Sequence, residues 1–239
     1  MAYEIDCSNE RGRRAFLWRG SEEREPCMPR KPPQTTPQGL ADAKTLDELN
    51  ALLAEMDPVV KGAPKAVAGE GPVGARVALV GEQPGDQEDR LGRPFVGPAG
   101  QLLDRAMLEA GMDRNAVYIT NAVKHFKFQQ RGKRRIHQKP TAGEVKHYRW
   151  WLDQELRLVH PNLIVALGAT AVLALAGKPL PISRFRGPAD FLGRRGFITV
   201  HPSYLLRMPD RTAKAQGYRD FVQDLKTIRK LAADRRPRP

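Results

Sequence analysis

The sequence predicts an α/β fold in which three α/β/α layers enclose a central, mostly parallel sheet of four strands. Two observations predict it. Four short apolar runs rich in β-branched residues, RVALVG, VYITNAV, NLIVALG and FITVHP, read as strands. Helical patterns, AGQLLDRAMLEAG and TAGEVKHYRWWLDQELRLV, separate the first three, and ATAVLALAG supplies another helix after the third. Strands that alternate with helices build a parallel sheet between helix layers, and working residues of such sheets sit in loops after the carboxyl ends of strands.

The 239 residues suit one domain flanked by irregular ends. Residues 1–43 carry many charges and the proline-rich stretch PCMPRKPPQTTPQG, and read as a flexible arm. The domain, 44–231, opens with TLDELNALLAEM, an amphipathic helix capped by Thr45 with Glu48 completing a capping box, and closes with KAQGYRDFVQDLKTIRKLAA. Residues 232–239 read as a frayed tail. Forty Lys and Arg against 27 Asp and Glu give a formal charge of +13, which favours a polyanionic partner such as nucleic acid over a small neutral ligand. No apolar run approaches the roughly 18 residues that span a bilayer, and the opening MAYEIDCSNERGRR lacks the apolar core of a signal peptide, so an intracellular protein without a membrane partner is expected; a monomer is expected as well. Cys7 and Cys27 are the only cysteines, too few for a disulfide framework or a four-cysteine metal site.

The residues after each strand are the informative ones. GEQPGDQEDRLGRPFVGPAG follows the first strand, a glycine- and proline-rich loop carrying Glu82, Gln83 and Phe95, with neither a GxGxxG pattern nor a Walker lysine. The second strand ends near Asn121 and leads into Lys124 to Lys139, where seven Lys or Arg occur without one acid and Phe126 and Phe128 are interleaved. Cations for phosphates and rings for bases suit a nucleic-acid strand, so Lys124, Lys127, Arg131, Lys133, Arg134 and Arg135 are candidate DNA contacts. The turn GATA follows the third strand, and HPSYLLR, with His201 and Ser203, follows the fourth.

Together GEQPGD with PFVGPAG, TNAVKHFKF, KRRIH, LGATA and HPSYLLR resemble the motifs of UdgX-like proteins, relatives of the family 4 uracil-DNA glycosylases. The resemblance covers about Gly69 to Leu231, and KRRIH is the feature that sets UdgX-like proteins apart from hydrolytic relatives. It implies a uracil-DNA glycosylase-like fold and a substrate of uracil-containing DNA, with single strands favoured by the basic and aromatic segment. Phe95 would stack on the extruded base, while Gln83 and Asn121 bind it, Asn121 by accepting from uracil N3–H and donating to a carbonyl. His201 would donate to the uracil oxygen where charge accumulates, Glu82 would stabilise the sugar cation and accept a proton, and Ser203 would contact DNA.

The resemblance further implies that His137, the histidine of KRRIH, attacks the sugar C1′ itself and leaves a covalent protein–DNA adduct after a single turnover. A conventional hydrolytic glycosylase, with KRRIH serving as a DNA clamp, and a non-catalytic nucleic-acid-binding relative are the alternatives. Such families usually carry a 4Fe–4S cluster. Here only His125 matches a ligand position, Tyr148 stands where a cysteine is expected, and Cys7 and Cys27 lie in unrelated surroundings, so no cofactor is expected. Tyr148, Trp150 and Trp151 are then candidates to pack the vacated volume.

Overall fold

A computed structural model of the chain describes residues 43–234. The expected N-terminal arm up to residue 42, with Cys7 and Cys27, lies outside the described residues, as do residues 235–239. Helix α1 (Leu46–Ala54) starts at Thr45, whose Oγ1 accepts from Glu48 N–H at 3.1 Å. Only half of the expected box forms, because the Glu48 carboxylate accepts from Lys44 N–H at 2.7 Å instead of from Thr45. Strand β1 (Gly62–Ala66) precedes the first buried strand, β2 (Val77–Gly81). The long loop expected between Gly81 and Gly100 is broken by a short helix, α2 (Asp86–Leu91), and α3 (Pro98–Glu109) begins on a proline suited to a first helical turn.

Strand β3 (Tyr118–Asn121) leads into a hairpin, β4 (His125–Arg131) and β5 (Arg134–His137), where the composition alone suggests a basic loop. A complete capping box then starts α4 (Ala142–Val159): Thr141 Oγ1 accepts from Glu144 N–H, and the Glu144 carboxylate accepts from Thr141 N–H at 2.6 Å. The chain continues through β6 (Leu163–Leu167), α5 (Ala169–Ala176), α6 (Ile182–Phe185), β7 (Gly187–Phe191), β8 (Arg194–Thr199), α7 (Pro202–Leu206) and α8 (Arg211–Ala233). The closing helix ends at Ala233, the last residue of the quoted KAQGYRDFVQDLKTIRKLAA, with Ala232 buried.

The main sheet has the order β3-β2-β6-β8-β7, and its first four strands are the predicted parallel ones. The fifth, β7, adds antiparallel to β8 at the edge. Its sequence GPADF lacks β-branched residues and contains a proline, which an edge strand tolerates and which hides it from pattern reading. Alternation along β2 splits the core into two layers. Ala78 and Val80 face α1, α4 and α5, meeting Tyr148, Trp151 and Val172, while Val77 and Leu79 face α3 and α8, meeting Leu103, Met107, Phe221 and Leu225. A separate antiparallel sheet, β1-β4-β5, carries the hairpin.

Lys124, expected to contact DNA, is instead fully buried, with its ammonium against β3 and α4. Its ammonium lies 2.5 Å from Glu155 Oε2 and donates to Thr120 Oγ1 at 2.8 Å and to Asn121 O at 2.9 Å. Glu155 Oε1 accepts from Gly69 N–H at 3.1 Å, so the pair is hydrogen-bonded on both sides. Burying either charge alone is costly, and the partner on α4 is what permits the other. Glu155→Ala, which strands the buried ammonium, is expected to destabilise the fold by about 3–5 kcal/mol in urea denaturation; a loss below about 1 kcal/mol, the range of an exposed pair, would contradict this account.

Candidate active site

The carboxyl ends of the four parallel strands converge on a cleft of about 1240 Å³. Glu82 and Gln83 follow β2, Asn121 ends β3, Gly168 follows β6 and His201 follows β8. Phe95 reaches the cleft from the turn before α3, and His137 from the end of β5. Glu82, Gln83, Phe95, Asn121, His137, His201 and Ser203, seven of the residues singled out from sequence, thus line one cavity.

Phe95 is buried and holds a positive φ of 55°, a conformation its surroundings must enforce. Arg114 does so from one side, pairing with Asp104 at 2.6 Å and donating to Pro94 O at 3.1 Å. From the other, the Glu88 carboxylate accepts from Gly85 and Gly97 N–H at 3.1 and 3.0 Å. Gly81 makes room for the ring: a Cβ there would lie 2.4 Å from Asn121 Oδ1 and 2.5 Å from Phe95 Cζ. Asn121 Oδ1 is buried and has no hydrogen-bond partner among the described residues, an acceptor held ready beside an aromatic face. The rings of Phe95 and His201 stand 5.7 Å apart and tilted by 33°.

The charged groups divide their roles by environment. Burial raises the pKa of Glu82, but hydrogen bonds from His137 and Thr170 outweigh it and hold the carboxyl below its ordinary value. Its Oε1 is 3.1 Å from His137 Nε2, and its Oε2 accepts from Thr170 Oγ1 at 2.5 Å. Burial pushes His201 down to about 4, which keeps that ring neutral near pH 7. Ser203 N–H donates to His201 Nδ1 at 3.2 Å, so the ring proton sits on Nε2 and makes that nitrogen a donor. Ser203 Oγ lies 2.8 Å from the same Nδ1 and accepts from Arg207 at 3.0 Å, which ties Ser203 to holding His201.

Gln83 is placed differently from the expectation of a base-binding amide. Its Nε2 donates to Lys127 O and Gln138 O at 3.2 and 3.0 Å, and its Oε1 accepts from Lys127 N–H at 3.2 Å. The amide is spent on the hairpin backbone and pins it to the end of β2. Acids from elsewhere also claim part of the basic segment. Arg135 pairs with Asp86, lies 2.5 Å from Asp89 Oδ2, donates to Asp86 O at 3.1 Å, and covers the rings of Phe126 and Phe128 at 5.4 and 5.1 Å. Lys127 pairs with Glu144 at 2.8 Å. Lys124, Lys127 and Arg135 are therefore structural cations, whereas Arg131, Lys133, Arg134 and Lys139 are exposed and have no acidic partner among the described residues.

The residues around His125 do not fit an iron-sulfur cluster. His125 is buried, its Nδ1 is 2.8 Å from the Tyr148 hydroxyl, and burial pushes it down to about 4. That hydroxyl accepts from Val59 N–H at 3.3 Å, and burial pushes the phenol up to about 12, so it offers a neutral oxygen in place of a thiolate. Tyr148, Trp150 and Trp151 are buried in the core layer of α4. Among the described residues no three His, Cys, Asp or Glu gather as a metal site.

Sequence reasoning missed Asp86, Asp89 and Thr170. The two acids follow GEQPG within the quoted loop, and the excess of cations in the hairpin was the signal that acids from elsewhere must meet it. Thr170 sits in GATA, legible only as a turn. Arg135→Ala removes the fork that joins the hairpin to α2 and leaves buried Asp89 without its cation. Amides of Arg134–His137 are expected to exchange with solvent about tenfold faster or more, the scale of a hydrogen bond to a charged group, with β6 unchanged. Unaltered protection across the hairpin would contradict the clamp.

Residues 68–226 match the family described as the uracil DNA glycosylase superfamily. Type-4 uracil-DNA glycosylase of Thermotoga maritima is 44% identical over 144 residues, 59% of this chain and 71% of that protein. The type-4 enzyme of Pyrobaculum aerophilum is 36% identical over 69% of this chain and 86% of its own length, and that of Archaeoglobus fulgidus 32% over 72% and 84%. With the matched region spanning the whole main sheet and every residue of the cleft, the chain belongs to the uracil-DNA glycosylase superfamily.

Proposed function

We propose that the protein excises uracil from DNA and that His137 then bonds to the sugar it exposes. Family membership supports the first part, uracil excision by a glycosylase. The observation that carries the second is the direct contact of His137 Nε2 with Glu82 Oε1 at 3.1 Å across the mouth of the cleft. At that separation no water fits between carboxylate and imidazole, which favours the ring over a bound water as the attacking group.

The arrangement suits each step. An extruded uracil stacks on Phe95, and Asn121 Oδ1, lacking a partner, accepts from uracil N3–H. As the bond between C1′ and uracil N1 breaks, both electrons leave with the base, and the Nε2–H of neutral His201 stabilises the charge that reaches its oxygen. The Glu82 carboxylate, held ionised, offsets positive charge on the sugar. An imidazole nitrogen of His137 forms the new bond to C1′, and the proton the ring gives up passes to Glu82. Deprotonated N-alkylimidazole is a poor leaving group, so the protein stays on the DNA and turns over once.

Single-stranded DNA is the proposed partner. The exposed cations Arg131, Lys133 and Arg134 at the hairpin tip, with Lys139 lining the cleft beside His137, suit a flexible phosphate backbone. The hairpin anchor made by Gln83 and Arg135 brings that surface to the cleft.

Incubation with a uracil-containing single-stranded oligonucleotide followed by denaturing electrophoresis tests the reading. A uracil-dependent shifted band is expected, absent with thymine DNA and with His137→Ala, and formed about a hundredfold more slowly by Glu82→Gln, as for loss of a general base. Free abasic DNA with unmodified, reusable protein would contradict it and leave a hydrolytic glycosylase.

A further inference from the structure

The LGATA turn has no part in the steps above, yet two of its residues touch side chains of the cleft. Gly168 has a φ of 89°, and a Cβ there would come within 3.0 Å of His201 Cβ, so the turn and the histidine are in close contact. Thr170, the second residue of α5 and buried, donates from Oγ1 to Oε2 of the cleft residue Glu82 at 2.5 Å. Among the described residues the Glu82 carboxylate has only two polar partners, Thr170 on Oε2 and His137 on Oε1.

This division of the two oxygens has a physical consequence. The terminal torsion of a glutamate is broad and roughly two-fold, so nothing intrinsic to Glu82 aims one oxygen at His137. A β-branched threonine in a helix has a restricted first torsion, and its hydroxyl comes from a packed position. We infer that Thr170 is a positioning residue that fixes the Glu82 carboxylate with Oε1 facing His137. The same hydrogen bond favours the ionised carboxyl over the protonated one. The inference rests on the reading that Glu82 serves the attack by His137.

The test compares wild type, Thr170→Val and Thr170→Ser in single-turnover reactions with a uracil oligonucleotide across a range of pH, following adduct and released uracil together. Thermal unfolding midpoints verify that each variant is folded. Thr170→Val keeps the shape and loses the donor: adduct formation near neutral pH is expected to slow by about tenfold, the scale of one hydrogen bond to a charged group. The acid limb of its pH profile is expected to move to higher pH, because Glu82 loses a donor to its anion. Thr170→Ser, which restores the hydroxyl, is expected to recover most of the rate and the wild-type limb. A folded Thr170→Val with the wild-type rate and pH profile would overturn the inference, as would a loss that Thr170→Ser fails to rescue. Failure of wild type to form adduct while releasing uracil would overturn the histidine reading instead, and the same comparison then holds for uracil release. Wild type inert in both readouts would overturn both.

Discussion

The fork of Arg135 joins two parts of the chain that the main sheet does not hold together. The hairpin bearing His137 belongs to the small β1-β4-β5 sheet, whereas Glu82 extends from the main sheet. Arg135, bonded to Asp86 and Asp89 of α2 and lying over two phenylalanine rings, binds the first part to the second. Gln83 repeats the connection through backbone groups of the same hairpin. The pair of Arg135 with Asp89 is largely buried, its side chains 16% and 7% exposed, which shields it from the solvent screening that weakens surface pairs such as the one with the more exposed Asp86. Without this seam the contact of His137 with Glu82 has no reason to persist.

Within the cleft, ionisable groups at close quarters are kept in different states by their surroundings. Glu82 receives two donors and stays an anion, while His201, deprived of water and given donors on Nδ1, stays neutral and presents its other nitrogen as a donor. On the proposed reading, with the anion toward the sugar and the neutral donor toward the base, these states match the opposite charges that glycosidic cleavage develops at its two ends. The separate burial of Lys124 against Glu155 sets the backbone beneath Asn121, since the ammonium also holds Asn121 O.

The parallel sheet was legible because its strands are short, β-branched and separated by strongly periodic helices, and the rule that ligands meet the carboxyl ends of such strands brought Glu82, Asn121 and His201 into view. The hairpin was not, since RRIH sets two arginines side by side without apolar alternation, in a strand tied down by Arg135 and its distant acids. β1, GAPKA, is equally poor in strand formers and pairs only by contact with β4. Nor could composition sort the seven cations of that segment, because Lys124 finds its acid 31 residues away on α4 and Arg135 finds its own nearly 50 residues earlier. Likeness to a family named His137; the contact that gives the name a mechanism is tertiary.

The claim that rests most heavily on this geometry is that His137 is the nucleophile, and it is tested most directly by locating the bond. After reaction with a uracil oligonucleotide, the protein would be digested with protease and nuclease and its peptides sequenced by tandem mass spectrometry. The account expects a deoxyribose-phosphate remnant on the imidazole of His137, with the corresponding peptide of thymine-treated protein unmodified. A remnant on a lysine of the hairpin, or an unmodified His137 peptide beside uracil release, would contradict it.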